Sequence, residues 1–196
     1  MKKSIALIAL LATLVAPVVA ATGTGIGINI GTSYTYNLKS QFKNGQATNI
    51  ALEFNTRGGS TFYIQNENGT WRGESGKSNI TGSESVTGLG VRVPVADSVG
   101  LDVMIGNATT NFQDEAAVDN DNFGTAATEE SSTDPIADLG AYVERTYGDV
   151  SVAGTVSYRH HMLSNEIQYA KQGVNGNTVL NNKSGVRAGV RISYSF

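Results

Sequence analysis

Apolar and polar residues alternate strictly along several stretches of the chain. From residue 25 to residue 36, one parity carries isoleucine, threonine and tyrosine, whereas the other carries only glycine, asparagine, serine and threonine. Because successive side chains of a β-strand point to opposite faces of its sheet, this pattern predicts a strand with one apolar face. No stretch after residue 21 is apolar for long enough to form a membrane helix.

The same alternation recurs seven more times and so predicts eight strands. The apolar parities run from Ile50 to Phe54, Phe62 to Ile64, Leu89 to Val95, Val99 to Ile105, Ala137 to Val143, Val150 to Tyr158, and Val186 to Phe196. The third pattern fades after Gln65. We expect strands of roughly nine to twelve residues, the length that a tilted membrane strand needs.

The connections between these strands alternate between long and short. Strands one and two are joined by about ten residues, which is longer than a β-hairpin turn and so counts as a long connection. The other long connections are residues 66–84, 113–135 and 163–185, and the short ones are residues 57–59, 96–98 and 148–149. Outer-membrane barrels place short turns in the periplasm and long loops outside the cell. The sequence therefore predicts an all-β, eight-stranded, antiparallel up-and-down transmembrane β-barrel.

Aromatic residues on the apolar parity lie near the predicted strand ends. Those expected at the periplasmic rim are Phe54, Phe62, Tyr147, Tyr194 and Phe196, and those expected at the outer rim are Tyr34, Tyr36 and Tyr158. Two such girdles are typical of barrel strands that cross a membrane.

Composition excludes several other classes of protein. Charged residues make up only 16% of the chain, glycine occurs 23 times, cysteine is absent and the formal net charge is −3. These values argue against a charged disordered chain, a disulfide framework, a thiolate metal site and a binder of nucleic acid.

The first twenty residues have the pattern of a secretory signal peptide. Lys2 and Lys3 precede an apolar run over residues 5–15, and small residues follow up to Ala20. The alternative is an uncleaved anchor, but the run is short and Pro17 interrupts its end. We therefore expect a signal peptide at residues 1–20, a barrel domain at residues 21–196 and Sec export to the bacterial outer membrane.

The chain ends in Phe196, with Ile192 and Tyr194 on the same parity. With the alternation and the loop pattern, the chain resembles the small eight-stranded bacterial outer-membrane barrels, such as the OmpA transmembrane domain and the OmpX/Ail type. The resemblance covers residues 23–196. It implies that Ile192, Tyr194 and Phe196 form the signal read by the barrel-assembly machinery, and that the barrel contacts outer-membrane lipid and lipopolysaccharide.

Eight charged residues fall on the polar parity, which faces the lumen in such a barrel. They form the predicted lumen charge network: Glu53, Arg92, Asp102, Asp138, Glu144, Arg159, Arg187 and Arg191. Isolated charges in a narrow interior are costly, so we expect them to pair. The alternative is that they contact water in the lumen.

Turn lengths predict two of these pairs. A three-residue turn at residues 96–98 puts Val95 opposite Val99 and therefore Arg92 opposite Asp102. A two-residue turn at residues 148–149 puts Asp138 opposite Arg159 by the same arithmetic. Directly opposed side chains are close enough to form ion pairs.

The last strand supplies two further arginines. We expect Arg187 and Arg191 to reach across the lumen to Glu53 and Glu144, although the turns do not fix their register.

The stretch of residues 113–134 contains seven acidic residues and no lysine or arginine. Asp119 and Asp121 are weak candidates for calcium ligands, since the stretch lacks the central glycine and closing glutamate of an EF-hand. A solvated acidic loop is the favoured interpretation, and we expect no cofactor.

Catalytic candidates are few. If strand seven continued, His160, Ser164 and Glu166 would share a face, but four residues span about 13 Å along a strand. The stretch faintly resembles that of the lipid A deacylase barrels, which would imply acyl transfer. Because of the distance, we favour the interpretation that the two histidines lie at the membrane interface without a catalytic role. Trp71 is expected to pack on the rim rather than to form an adhesive contact.

The sequence thus favours a monomeric barrel that is not an enzyme. Its expected role is structural or interactional: envelope stability, adhesion or recognition of a host or phage ligand through the extracellular loops. A small-solute pore is one alternative, but the interior of an eight-stranded barrel is filled by side chains. A lipid-modifying outer-membrane enzyme is the other.

Overall fold

The computed structural model describes residues 25–36, 42–75, 78–114, 130–162, 166–169, 177–180 and 184–196. The strands are β1 (Gly25–Tyr36), β2 (Phe42–Asn55), β3 (Thr61–Ser75), β4 (Ser78–Ala96), β5 (Val99–Asp114), β6 (Glu130–Tyr147), β7 (Val150–His161), β8 (Glu166–Tyr169), β9 (Asn177–Leu180) and β10 (Gly185–Ser195). Eight of them close into an antiparallel barrel in the order β1-β10-β7-β6-β5-β4-β3-β2, and β8 and β9 form a separate two-stranded sheet. The predicted fold class is confirmed. The described residues include no helix long and apolar enough to cross a membrane.

The register of the strands fixes the geometry of the barrel. A path of directly opposed residues leaves β10 at Gly185 and returns to β10 at Ser195, a stagger of ten residues. The path passes through Arg159, Asp138, Met104, Gly90, Tyr63, Glu53 and Gly27. With usual strand spacings, eight strands with this stagger tilt by roughly 40° to the barrel axis. Such a barrel is just wide enough to be filled by side chains.

Burial in the barrel is the reverse of that in a soluble protein. Every barrel strand exposes large apolar side chains outward, with Leu139 and Tyr147 exposed by 64% and 66%. Most charged side chains of the barrel strands point inward, and Arg159 is only 1% exposed. A continuous outward apolar surface of this kind is stable in contact with lipid.

The outward aromatic residues lie near the two ends of the barrel, as the sequence predicts. Near the short turns, Phe54 is opposite Phe62, and Tyr194 and Tyr147 both lie opposite Val150. At the other end, Tyr36 and Tyr158 both lie opposite Val186. We call these ends the turn end and the loop end.

The predicted loop at residues 66–84 is wrong, because most of it is strand. β3 and β4 stay paired from Thr61 opposite Arg92 as far as Ser75 opposite Ser78. Beyond Ile64 the outward side chains of β3 are polar, such as Asn66 and Asn68. The apolar alternation therefore ends where the strand leaves the lipid belt, although the backbone ladder continues.

The other long connections are also shorter than expected. β2 begins at Phe42, β6 begins at Glu130, and the expected loop at residues 163–185 contains β8 and β9. The early parts of β2 and β6 lack the apolar parity that marks a lipid-facing strand, and β8 and β9 have only four residues each.

The short turns differ in detail from the prediction. The β4–β5 turn has two residues, with Ala96 opposite Val99, and a register shift follows between Pro94 and Ala96. The predicted pairing of Val95 with Val99 is therefore wrong, but the irregularity restores the register beyond Pro94. The β6–β7 turn has two residues as predicted, and Gly148 adopts a φ of 64°, which favours glycine at the first turn position.

Candidate functional site in the barrel lumen

The lumen of the barrel contains two clusters of ion pairs. The turn-end cluster consists of Glu53, Arg92, Asp102, Glu144 and Arg191. The loop-end cluster consists of Glu67, Glu84, Asp138, Arg159 and Arg187. All ten side chains project from barrel strands on the inward parity.

Arg92 is the centre of the turn-end cluster. Its Nη1 atom lies 2.5 Å from Oε1 of Glu53, and its Nε atom lies 3.5 Å from Oδ2 of Asp102. The guanidinium also stacks over the ring of Tyr63, 4.4 Å from the ring centroid. Tyr63 in turn donates a hydrogen bond of 2.6 Å to Asp102. A cation held between two carboxylates and an aromatic face is well compensated for its burial.

Arg191 completes the turn-end cluster from β10. It donates a hydrogen bond of 2.8 Å to Oε2 of Glu144 and lies 3.7 Å from Oδ2 of Asp102. Oε1 of Glu53 also accepts a hydrogen bond of 2.6 Å from Asn29 and one of 3.3 Å from Ser193, so with Arg92 it is held from three strands.

Arg159 is the centre of the loop-end cluster. It makes a bidentate contact with Asp138, at 2.8 Å and 2.9 Å. Its Nη1 atom also donates to Glu67 at 2.8 Å and to Glu84 at 3.1 Å. A planar guanidinium suits this multiple contact in a way that a lysine ammonium would not.

Arg187 links the loop-end cluster to the last strand. It donates to Asp138 at 2.9 Å and to Glu67 at 2.7 Å, and it also contacts Ser33 at 2.5 Å. Two arginines therefore share the same two carboxylates, which links the four strands β3, β6, β7 and β10 across the lumen.

The structure brings together the residues that the sequence places in the lumen. Arg92 lies opposite Asp102 and Asp138 lies opposite Arg159, as predicted, although the first pair depends on the register shift beside Pro94. Arg191 contacts Glu144 as expected. The expected ion pair of Arg187 or Arg191 with Glu53 is wrong, because Arg92 pairs with that carboxylate. The last strand contacts Glu53 through Ser193, which donates a hydrogen bond of 3.3 Å.

Sequence reasoning missed Glu67 and Glu84, because both fall in the stretch assigned to a loop. Arg187 pairs with Glu67 instead of reaching toward the turn end. The inward parity of β3, extended past Gln65, would have identified Glu67.

A third polar contact closes the loop end of the lumen. His161 Nδ1 lies 2.9 Å from Oδ2 of Asp134, and both side chains are completely buried. The backbone N–H of His161 donates to Oγ of Ser184 at 2.9 Å. The sequence pattern places Asp134 in the acidic loop. In the structure it lies inside the barrel near the start of β6, at the loop end and far from the β6–β7 turn.

Strand seven does not continue as the alternative acyl-transfer arrangement would require. β7 ends at His161, and Glu166 is the first residue of β8, which belongs to the separate two-stranded sheet. His160 is exposed on the outer face, while His161 is buried on the inner face. A shared face for His160 and Glu166 on one continuous strand is therefore excluded, and Ser164 lies outside the described residues.

The calcium candidates Asp119 and Asp121 also lie outside the described residues. Among the residues that the structure describes, no group of three His, Asp or Glu side chains is arranged to hold a metal ion.

Trp71 lies inside the barrel and is 4% exposed, which excludes the adhesive contact and corrects the rim position. Its ring occupies the space beside Gly45, where a Cβ atom would come within 2.9 Å of it.

Between the two charged clusters lies a cavity of about 70 Å³. Its lining includes Gln65, Arg92, Asp102, Met104 and Arg187. This volume holds a few water molecules at most. The side chains therefore fill most of the cross-section of the lumen.

No protein-family model matches the chain, and no curated protein matches its sequence. Solved structures do match it. OprG from Pseudomonas aeruginosa has a TM-score of 0.55 at 12% identity, covering 89% of this chain and 97% of OprG. Ail from Yersinia pestis, in complex with a heparin analogue, has a TM-score of 0.53 at 11% identity, covering 88% and 97%. Neisserial surface protein A has a TM-score of 0.51 at 8% identity, covering 88% and 96%. The chain therefore has the fold of the small eight-stranded outer-membrane β-barrels.

Proposed function

We propose that this chain is a closed, non-conducting barrel of the bacterial outer membrane whose role is structural and interactional. The observation that carries the proposal is the lumen, in which two ion-pair clusters flank a cavity of about 70 Å³. The outward apolar surface and the similar folds of outer-membrane barrels support the location. The expected signal peptide at residues 1–20 lies outside the described residues, and its sequence pattern supports export by the Sec route.

The second part of the proposal concerns the connections at the loop end. Residues 115–129 include Glu115, Asp119, Asp121 and Glu129, without any lysine or arginine. Such a segment favours a partner with a basic surface, or one bridged to it by divalent cations. Ail was solved with a heparin analogue, a polyanion, so ligand binding by a protein of this fold has a precedent.

Assembly through Ile192, Tyr194 and Phe196, contact with lipopolysaccharide and a monomeric state belong to the same proposal. Residues 192–196 support it because all three side chains are exposed on the outer face, by 56%, 45% and 74%. We propose no catalytic role, since His161 is held by Asp134 inside the barrel and His160 points to the other side.

The test is adhesion by cells that carry the chain on their surface. In one variant, residues 115–129 are replaced by a glycine–serine segment of equal length; in a control variant, residues 170–176 are replaced in the same way. Binding to host-cell matrix and adsorption of phage are measured at matched surface levels. We expect the first replacement to reduce binding to a basic matrix protein and the control to retain it. Equal binding by wild type and the first variant would contradict the role of this segment.

A further inference from the structure

The carboxylate of Asp134 is completely buried at the loop end of the lumen. Its Oδ2 atom lies 2.9 Å from Nδ1 of His161, and its Oδ1 atom has no hydrogen-bond partner among the described residues. An ionised carboxylate in such a place is costly unless a positive charge compensates it. The arginines of the two lumen clusters bind other carboxylates. His161 is therefore the group in contact with Asp134 that can carry the compensating charge.

A second carboxylate faces the other nitrogen of the same ring. Oε2 of Glu84, on β4, lies 3.9 Å from Nε2 of His161 and also accepts a hydrogen bond of 3.3 Å from Thr110 on β5. An imidazolium carries an N–H on both ring nitrogens, so it suits a position between two carboxylates. A proton on Asp134 would satisfy that carboxyl group but would leave Glu84 facing a neutral ring. The geometry therefore favours the ring as the place of the proton.

The other charged groups around the ring are neutralised by partners of their own. Arg159 precedes His161 by two residues on the same inward face of β7. Its guanidinium is held at 2.8–3.1 Å by three carboxylates: Asp138, Glu67 and Glu84. On the other side, β10 contributes Arg187, which binds two carboxylates of the same cluster. Arginine therefore does not cancel the attraction of the ring to its two facing carboxylates.

This pair lies where the chain leaves β7 and where it returns to β10. The backbone N–H of His161 donates to Oγ of Ser184 at 2.9 Å, immediately before β10 begins. The N–H of the next residue, Met162, donates to the carbonyl oxygen of Pro135 at 3.0 Å, beside Asp134 on β6. The two ends of the connection that carries β8 and β9 are therefore both fastened at His161.

We propose that Asp134 and His161 form a proton-dependent clamp at the base of the connection between β7 and β10. In the folded barrel the clamp is an ion pair of a carboxylate and an imidazolium. Loss of its proton leaves a buried carboxylate uncompensated, which favours separation of the loop ends of β6 and β7. The loop end is then held more tightly in acidic and neutral surroundings than in mildly alkaline ones. The clamp is independent of the role proposed for residues 115–129.

The sign of the pH dependence follows from counting protons. In an unfolded chain, histidine loses its proton near its ordinary pKa of about 6.5, and aspartate near about 3.9. Above about pH 6.5 the folded barrel thus holds one proton that the unfolded chain has released, and its stability falls as the pH rises. The stabilisation is fully present below that pH, and one proton changes the folding equilibrium constant by up to about tenfold per pH unit.

The first experiment is urea unfolding of the whole barrel in lipid vesicles at about pH 6.5 and about pH 8.5. The test variant combines Asp134→Asn with His161→Gln, which leaves a neutral pair that can still form a hydrogen bond. His160→Gln is the matched control, because His160 is the other histidine of the chain and is exposed on the outer face. Between the two pH values, the folding equilibrium constant of wild type and control should fall at least about tenfold more than that of the test variant. Equal falls for wild type and test variant would overturn the proposal.

The second experiment needs no substitution in the clamp. In the His160→Gln barrel, His161 is the only histidine, so nitrogen NMR of labelled histidine reports its ring alone. We expect an imidazolium, with both ring nitrogens protonated, at about pH 7.5, where an exposed histidine is mostly neutral. A neutral ring at that pH would overturn the assignment of the charge.

Hydrogen exchange tests whether the clamp holds the connection. After correction for the intrinsic exchange rate, the protection of the Met162 N–H should fall between the same two pH values in wild type and stay constant in the test variant. Protection in wild type that does not change with pH would contradict the hold of the clamp on this connection.

Discussion

Arg159 offers the sharpest perturbation of the lumen. Its guanidinium contacts Asp138, Glu67 and Glu84 at 2.8–3.1 Å and is 1% exposed. Arg159→Met keeps much of the side-chain length but removes the charge. Asp138 and Glu67 would then depend on Arg187 alone, and Glu84 would lose its contact with Arg159.

The expected cost follows from the burial of these groups. Removing one partner of a buried ion pair leaves an uncompensated charge and typically costs about 3–5 kcal/mol in the free energy of unfolding. That corresponds to a fall of roughly a hundredfold to several thousandfold in the folding equilibrium constant. Arg159→Lys keeps the charge but loses the bidentate contact, so we expect an intermediate cost. The double variant Arg159→Met with Asp138→Asn also removes the carboxylate that Arg159 neutralised, so its free energy of unfolding should lie above that of Arg159→Met alone.

The assay is urea unfolding of the barrel in lipid vesicles, followed by tryptophan fluorescence. Trp71 is the only tryptophan of the chain, and it is buried in the lumen. Arg145→Ala serves as the control, because Arg145 is exposed on the outer side of β6. We expect this surface change to alter stability by no more than about 0.5 kcal/mol. The reasoning is refuted if Arg159→Met lies within about 1 kcal/mol of wild type with an unchanged denaturant slope.

Three further predictions concern packing, assembly and topology. Gly90→Ala should lower the free energy of unfolding in urea by about 1–3 kcal/mol, because a Cβ atom at this position clashes with the ring of Tyr63. Gly154→Ala is the control and should be nearly neutral, because a Cβ atom there has nothing within 4 Å. Equal costs for the two variants would contradict this packing. Deleting Phe196 removes its backbone N–H, which donates to the carbonyl oxygen of Ile26 at 2.8 Å, and its ring, which packs against Tyr194. Immunoblots of the outer membrane should therefore show less assembled barrel. An undiminished amount of assembled barrel would count against the terminal signal. A maleimide that cannot cross the membrane should label Ser131→Cys but not Asp97→Cys on intact cells, and the reverse result would invert the topology.

The sequence predicts the barrel well because its lipid belt imposes a strict period of two. That signal is strongest in strands such as β1 and β10, whose outward parities stay apolar or aromatic for most of their length. It disappears in the halves of β3 and β4 nearer the loop end, where Asn66, Asn68 and their neighbours lie on the outer face beyond the lipid belt. Hydrogen bonding between strands does not need apolar side chains, so the ladder continues where the pattern stops.

The lumen shows the same limit. Local turn arithmetic is sufficient for Asp138 with Arg159, which lie on one hairpin with a two-residue turn. It also gives Arg92 opposite Asp102, but there a register shift beside Pro94 compensates for a turn that is one residue shorter than predicted. Contacts across the barrel, such as Arg159 with Glu67, join strands that are distant in sequence and depend on closure and stagger. Parity shows that a side chain points inward, but the choice among several inward carboxylates is made by three-dimensional geometry.

The most direct test of the closed lumen is the ionic conductance of single barrels in a planar bilayer. The wild-type barrel, reconstituted as the whole folded chain, should show no steady conductance, because the two ion-pair clusters fill the lumen around a cavity of about 70 Å³. A stable, ohmic conductance in every inserted wild-type barrel would contradict the closed lumen and favour a small-solute pore.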